Sequence, residues 1–147
     1  MKLELSDEQH EKMLKLVYLG MWVAESVGNE NQNHFEELEQ MIFEKSKGSD
    51  LEEFIEYDEE TKKYLPTSRF DEDKLITTII NEYEERVFWD ELIDRLTKRD
   101  LLKKYGIEKI LKMDFKERYN LEKIIMDKYE LEFSKHALEN IKIKNIE

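Results

Sequence analysis

The chain contains no cysteine, one proline and four glycines among its 147 residues. Without cysteine there is no disulfide framework, no thiolate zinc site and no thiol nucleophile. The glycines lie too far apart to form a phosphate-cradling loop, which excludes nucleotide binding by a P-loop or a Rossmann turn. They are Gly20, Gly28, Gly48 and Gly106.

Histidine is also scarce, and the three present are His10, His34 and His136. None belongs to an H-E-x-x-H motif, and none closes the E-x-x-H pair of di-iron bundles. No serine stands in G-x-S-x-G, and no D-x-[DN]-x-[DN]-G calcium loop is present. The sequence therefore predicts no metal site and no cofactor, and it favours a protein that is not an enzyme. A carboxylate-dependent or metal-dependent enzyme in a helical bundle stays an alternative, because carboxylates are abundant.

Charge is plentiful and unevenly distributed. The net charge of -12 belongs to residues 1–60, which hold 5 basic and 17 acidic side chains, whereas residues 61–147 hold 19 of each. Within the second part, residues 95–118 carry nine basic side chains against four acidic ones. The negative net charge argues against direct nucleic-acid binding, because contact with the phosphate backbone needs clustered lysine and arginine. Such binding stays open as a weaker alternative, because Phe115 and Tyr119 adjoin the basic stretch.

The longest apolar run, residues 16–24, is too short for a membrane-spanning helix, which needs about 20 residues. The N-terminus also lacks the basic region and apolar stretch of a secretory signal. We therefore expect a cytoplasmic protein without a membrane segment, folded as a single α-rich domain over residues 1–147.

Local signals predict where several helices begin and end. Ser6 and Gln9 form a capping box, so the first helix should begin there and run to about Val27, with Gly28 as its stop. The second half of this helix is apolar on almost every side, which is typical of a buried, central helix. Gly20 lowers helix propensity by about 1 kcal/mol, a tolerable cost if another helix or a ring packs closely against it.

A second helix is predicted over residues 34–47, with Phe35, Leu38, Met41 and Ile42 as its apolar stripe. Residues 71–106 form a long helical stretch with two apolar stripes that are rotated by roughly 145° about the axis. The first comprises Leu75, Ile76, Ile79, Ile80, Tyr83 and Val87, and the second comprises Trp89, Leu92, Ile93 and Leu96. This rotation favours a break near Glu84–Val87 over one long helix that serves two partners.

The remaining segments predict a short helix or turn over residues 107–113 and a last helix from Asp114 to about Lys135. The stripe of that helix is Phe115, Tyr119, Ile125, Met126, Tyr129 and Phe133. A short hairpin can form from residues 55–57 and 63–65, and the alternating tail, residues 140–146, is the natural third strand. The predicted fold is mainly α: a compact bundle of about five helices around a central apolar helix, with a hairpin near residues 55–65 and a C-terminal strand.

The densest acidic run of the chain coincides with this hairpin and includes two tyrosines. We predict that these side chains bind a protein partner: Glu52, Glu53, Glu56, Tyr57, Asp58, Glu59, Glu60 and Tyr64. The leading hypothesis is a non-enzymatic protein-interaction or regulatory domain whose partner the sequence does not identify. An alternative is an inhibitor that mimics nucleic acid and occupies a DNA- or RNA-binding enzyme. A homodimer also stays open, because residues 16–24 are apolar enough to form an interface.

Two stretches resemble a group of small acidic bacterial proteins that have no assigned activity. The first is Tyr57-Asp58-Glu59-Glu60 followed by Tyr64-Leu65-Pro66-Thr67, and the second is the run from Phe88-Trp89-Asp90 to Leu101. The resemblance covers residues 50–143. It implies a bacterial or phage-like cytoplasmic setting and implies nothing about mechanism.

Overall fold

The computed structural model describes residues 3–28 and 34–142. The chain divides into two compact units, Met1–Glu82 (the N-terminal unit) and Tyr83–Glu147 (the C-terminal unit). Each unit is described by itself. The expectation of a single domain stays a prediction.

The described residues are mainly helical and contain one antiparallel hairpin, so the predicted fold class is confirmed. No helix among them is both long and apolar enough to cross a membrane. The elements are α1 (Asp7–Ser26), α2 (Glu36–Ser46), a 3-10 turn (Glu52–Phe54), β1 (Ile55–Asp58), β2 (Lys63–Pro66), α3 (Arg69–Glu72), α4 (Lys74–Tyr105), α5 (Ile107–Lys112) and α6 (Phe115–His136).

Helix α1 begins at the predicted capping box. The Ser6 hydroxyl accepts from the Gln9 backbone N–H at 3.3 Å, and the Gln9 side chain accepts from the Ser6 N–H at 2.9 Å. The expectation that this helix is buried on all sides is wrong, because it buries only one side. Leu14 is fully buried, whereas Leu16 is 69% exposed.

The core of the N-terminal unit joins residues from almost every one of its elements. The Tyr18 ring of α1 stacks on the Phe70 ring of α3, with centroids 4.1 Å apart, and Phe54 packs against the same ring. Ile55 anchors the hairpin in this core. The fully or nearly buried members are Leu14, Ile42, Phe43, Leu51, Ile55, Phe70 and Ile76.

Helix α2 buries a different face from the predicted one. Phe35, Leu38 and Met41 are about half exposed. The buried residues recur with helical spacing and include two polar side chains: Glu39, Ile42, Phe43 and Ser46. The prediction used apolar side chains to find the buried face, and it therefore included Leu38 and Met41. It could not recognise that the polar residues Glu39 and Ser46 lie inward.

A partly buried ion pair holds the start of α4 against α1. The Asp73 carboxylate accepts from the backbone N–H groups of Leu75 and Ile76 at 2.9 and 3.1 Å, which caps the helix. Its other oxygen lies 2.7 Å from Lys15 Nζ. The Lys15 ammonium, aided by these N–H groups, lowers the pKa of Asp73.

Helix α4 is continuous over 32 residues, so the predicted break near Glu84–Val87 is wrong. Residues 81–88 are all exposed, and no packing conflict therefore forces the chain to bend there. This stretch also contains no glycine or proline to end the helix. The change of stripe instead falls close to the boundary between the two units, after Glu82.

The C-terminal unit has a small core, in which only Leu101 and Phe133 among the described apolar side chains are buried. Trp89 of α4 packs on Phe133 of α6, with ring centroids 5.4 Å apart. The Tyr129 hydroxyl donates to Asp100 and accepts from Arg99 Nη2 at 3.0 Å. Trp89 of the second stripe, together with Arg99 and Asp100, therefore joins α4 to the last turns of α6.

Much apolar surface of this unit remains exposed. Leu111 of α5 is 77% exposed. Phe115 and Tyr119 are 76% and 51% exposed, so the first turns of α6 do not bury their predicted stripe. The predicted C-terminal strand is not found in residues 140–142, where the chain forms a turn and then no regular structure. The rest of that prediction, residues 143–146, lies outside the described residues.

Candidate functional site: the acidic hairpin

The hairpin pairs Tyr57 with Tyr64 and Asp58 with Lys63. Its four-residue loop is held by Asp58, whose carboxylate accepts from the Glu60 N–H at 3.0 Å and from the Thr61 hydroxyl at 2.5 Å. These hydrogen bonds, that of Thr61 first, lower the pKa of Asp58. The structure therefore gives Asp58 a local role in closing the loop.

Gln40 of α2 fastens the hairpin at its middle. Its side-chain amide donates to the Tyr64 carbonyl at 2.8 Å, and its amide oxygen accepts from the Tyr64 N–H at 2.7 Å. This paired geometry satisfies the outward-facing backbone groups of β2 in the way a neighbouring strand would. The site therefore rests on α2, which in turn is anchored in the core by Ile42 and Phe43.

An open groove of about 730 Å³ lies between α2 and the hairpin. Tyr57 and Tyr64 pack together on its floor with ring centroids 5.0 Å apart, and Tyr57 is 44% exposed. Met41 of α2, which is half exposed, adds an apolar side chain to the opposite wall. The groove thus combines exposed aromatic and thioether surface with charged walls.

The eight predicted residues do not form one continuous patch. Tyr57, Glu59 and Tyr64 line the groove. Glu56 projects from the other face of β1, because successive strand residues alternate. Glu52 and Glu53 lie in the 3-10 turn at the base of the hairpin.

Several of the predicted carboxylates are paired, and several are not. Glu53 pairs with Arg69 at 3.0 Å, and Glu59 pairs with Lys62 at 3.0 Å. Glu52, Glu56 and Glu60 are exposed and form no ion pair with any described residue. These three, here named the unpaired carboxylates, carry the negative potential that the hairpin presents to solvent.

The prediction missed the wall that α2 contributes to the groove. Its charged members are Glu37, Glu44 and Lys47, and Lys62 and Lys63 extend the rim on the hairpin side. The sequence contains no clear signal for this wall, because two of the four inward-facing residues of α2 are polar: Glu39, Ile42, Phe43 and Ser46.

A second polar cavity, of about 420 Å³, lies beside the first turn of α1 and contains His10 in its lining. His10 Nε2 lies 3.1 Å from the Ser46 hydroxyl, an arrangement that resembles a nucleophile and its base. The Ser46 hydroxyl, however, also lies 3.2 Å from the Ile42 carbonyl, to which it can donate. Ser46 is also fully buried. The pair is therefore a structural contact between α1 and α2.

Within residues 3–28 and 34–142, no group of three or more histidine, aspartate or glutamate side chains is arranged to hold a metal ion. Comparison with known proteins finds no matching protein family, no matching curated protein and no matching solved structure. The resemblance to small acidic bacterial proteins therefore stays a prediction.

Proposed function

We propose that the protein is a non-enzymatic, cytoplasmic interaction or regulatory domain whose acidic hairpin binds a basic segment of another protein. The observation that carries this proposal is the groove between α2 and the hairpin, where an exposed Tyr57 lies among charged side chains from both elements. Exposed tyrosine is a favourable contact residue, because its ring buries a large area and loses little side-chain entropy.

Charge determines the chemistry of the proposed partner. The N-terminal unit carries the whole net charge of -12, and the unpaired carboxylates Glu52, Glu56 and Glu60 surround the hairpin. A partner with lysine or arginine side chains is steered to such a surface at low ionic strength. An apolar or aromatic side chain of that partner would contact Tyr57 and Met41 in the groove.

The test is affinity capture with the full chain from a lysate of its source, followed by mass spectrometry. The variant carries Glu52→Gln, Glu56→Gln and Glu60→Gln, which remove charge and keep shape. Its matched control carries Glu84→Gln, Glu130→Gln and Glu139→Gln, three exposed carboxylates of the C-terminal unit. We expect the same protein to be retained by the wild type and the control and to be lost with the hairpin variant.

A second pair of variants tests the groove apart from its charge. Tyr57→Ala removes a ring that is 44% exposed, and Tyr119→Ala removes one that is 51% exposed in the C-terminal unit. We expect only Tyr57→Ala to weaken capture. If no partner is retained, or if every variant retains it equally, the proposal fails.

The mimicry of nucleic acid is distinguished in the same experiment. The mimicry hypothesis is supported if the captured protein is a nucleic-acid-binding enzyme and if double-stranded DNA displaces that enzyme from the wild-type chain. Displacement by salt alone supports a basic partner of any kind, because raised ionic strength screens the unpaired carboxylates.

A further inference from the structure

Gly20 stands in the interior of α1, although glycine is a poor helix former. Neither a close contact nor an unusual backbone angle explains it. A Cβ atom built on Gly20 would meet no atom within 4 Å, and the residue is exposed. Packing among the described residues therefore does not account for a small residue at this position.

An exposed apolar stripe runs through Gly20. It follows the i, i+4, i+7, i+11 spacing of one helix face and comprises Leu16, Gly20, Val23 and Val27. The three larger side chains are 69%, 45% and 71% exposed. This stripe lies apart from the side of α1 that buries Leu14 in the core.

A hollow of about 210 Å³ adjoins the stripe between α1 and α2. Its lining is almost wholly apolar and comprises Val17, Gly20, Met21, Phe35, Leu38 and Glu39. Pockets for drug-sized ligands usually measure about 300–1,000 Å³. The hollow is therefore suited to an inserted side chain, and the absent side chain of Gly20 leaves its mouth open.

Carboxylates make the surroundings of the hollow negative. Glu39 lies at its edge with only 9% of the residue exposed. Burial raises the pKa of Glu39, and Glu25 and Glu36 act in the same direction, whereas Lys63, which pairs with Glu36, acts against them. Two α1 stripes facing each other would bring both sets of carboxylates together, which is unfavourable. The hollow instead favours an apolar side chain that is accompanied by basic residues.

This chain contains a segment of that chemistry, residues 103–116. Ile107, Leu111 and Phe115 are 56%, 77% and 76% exposed. The basic residues among them are Lys103, Lys104, Lys109, Lys112 and Lys116. Exposed apolar side chains bordered by lysines are the complement of an apolar hollow bordered by glutamates.

We propose that the hollow beside Gly20 accepts the Leu111 segment of a second copy of the chain, with the exchange made in both directions within a dimer. The contact buries the α1 stripe against the exposed apolar side chains of the segment, and the lysines of the segment oppose the glutamates of the hollow. This proposal does not depend on the function of the hairpin.

The first test is sedimentation equilibrium of the full chain from micromolar to near-millimolar concentration. We expect a dimer whose dissociation constant rises with salt, because the contact joins opposite charges. Gly20→Glu and Leu111→Glu should each raise that constant more than tenfold. Thr78→Glu and Leu138→Glu, which place the same charge at exposed positions outside the contact, should leave it unchanged.

Mixing the two defective variants gives the decisive result. The Gly20→Glu chain keeps an intact segment, and the Leu111→Glu chain keeps an intact hollow, so an equimolar mixture should restore association through one contact. Circular dichroism confirms that each variant is folded. A wild-type chain that stays monomeric overturns the proposal. So does a dimer whose two variants fail to complement each other, because that result means that the hollow of one copy does not contact the segment of the other.

Discussion

The two units differ in the number of apolar side chains that they bury. The N-terminal unit buries apolar residues from two long helices, a hairpin and a short helix around Phe43 and Phe70. The regular structure of the C-terminal unit among its described residues is helical, yet only Leu101 and Phe133 of their apolar side chains are buried. The net charge follows the same division, since Met1–Glu82 carries -12 and Tyr83–Glu147 is neutral. The unit with the stronger core is thus the one that supports the acidic hairpin.

The largest expected difference in unfolding free energy is between two variants that each lose one phenylalanine ring, one in each unit. Phe43→Ala deletes a fully buried side chain, and we expect a loss of about 3–5 kcal/mol in unfolding free energy. Phe115→Ala deletes a ring that is 76% exposed and should change it by less than about 0.5 kcal/mol. Urea titration followed by Trp22 and Trp89 fluorescence measures both. Similar losses in the two variants would remove the contrast between the units.

Two aspartate caps give the next effect in size. Asp73→Ala removes a helix cap and one of the two carboxylates that pair with Lys15, the other being Glu11. Because the Lys15 and Asp73 side chains are each 15% exposed, we expect a loss of about 2 kcal/mol in unfolding free energy. Asp114→Ala removes an exposed cap whose carboxylate accepts from the Glu117 N–H, and about 1 kcal/mol should be lost.

Lowering the pH should reduce the difference in unfolding free energy between the Asp73→Ala and Asp114→Ala variants. The folded pKa of Asp73 lies below its unfolded value, so its stabilisation is present above the unfolded pKa and is lost as pH falls through the folded pKa. Urea titrations from neutral pH to below about pH 4 test this. A difference that stays constant over that range would mean that the Lys15 pair contributes little.

Glycine replacements should act with opposite sign in the two units. Gly20→Ala adds a methyl group in open space within a helix and should stabilise the N-terminal unit by about 1 kcal/mol. Gly106→Ala places a side chain on backbone with φ +74° and should destabilise the C-terminal unit by about 1 kcal/mol or more. Thermal unfolding of both variants checks the signs, and a loss of stability in Gly20→Ala would mean that the space beside it is filled.

The smallest expected effect concerns Glu39, whose pKa is raised mainly by burial. A raised folded pKa favours the native state when the carboxyl is protonated, and this contribution is lost as pH rises through the folded pKa. At neutral pH Glu39→Gln should therefore stabilise the N-terminal unit by less than about 1 kcal/mol. The gain should disappear below the ordinary glutamate pKa of about 4.3. A loss of stability at neutral pH would show that the charged form is well paired.

Local signals in the sequence predicted element boundaries well. The Ser6–Gln9 capping box and the Asp114 cap each depend on contacts three residues apart, and both are present. The hairpin was also found, although its loop is closed by the Asp58 carboxylate and not by an Asn-Gly turn. Such features are set by neighbouring residues, and the sequence alone contains them.

The directions in which helices face could not be read in the same way. Glu39 and Ser46 are polar but lie inward, whereas Leu38 and Leu16 are apolar but lie outward. Which face is buried depends on partners distant in sequence, such as Tyr64 against Gln40. The break in α4 was wrongly predicted for the same reason. The two stripes of α4 contact different residues, and the exposed residues 81–88 between them pack against nothing that would require a bend. The α2 wall of the candidate site was missed for this reason.

Hydrogen exchange followed by mass spectrometry, at a concentration low enough to keep the chain monomeric, tests most directly whether a stable N-terminal unit supports the hairpin. We predict the slowest exchange in the core-facing parts of α1 and α2, strong protection of the Tyr64 amide bonded to Gln40, and faster exchange in α5 and the first turns of α6. Equal exchange in both units, or slower exchange in the C-terminal unit, would contradict the account.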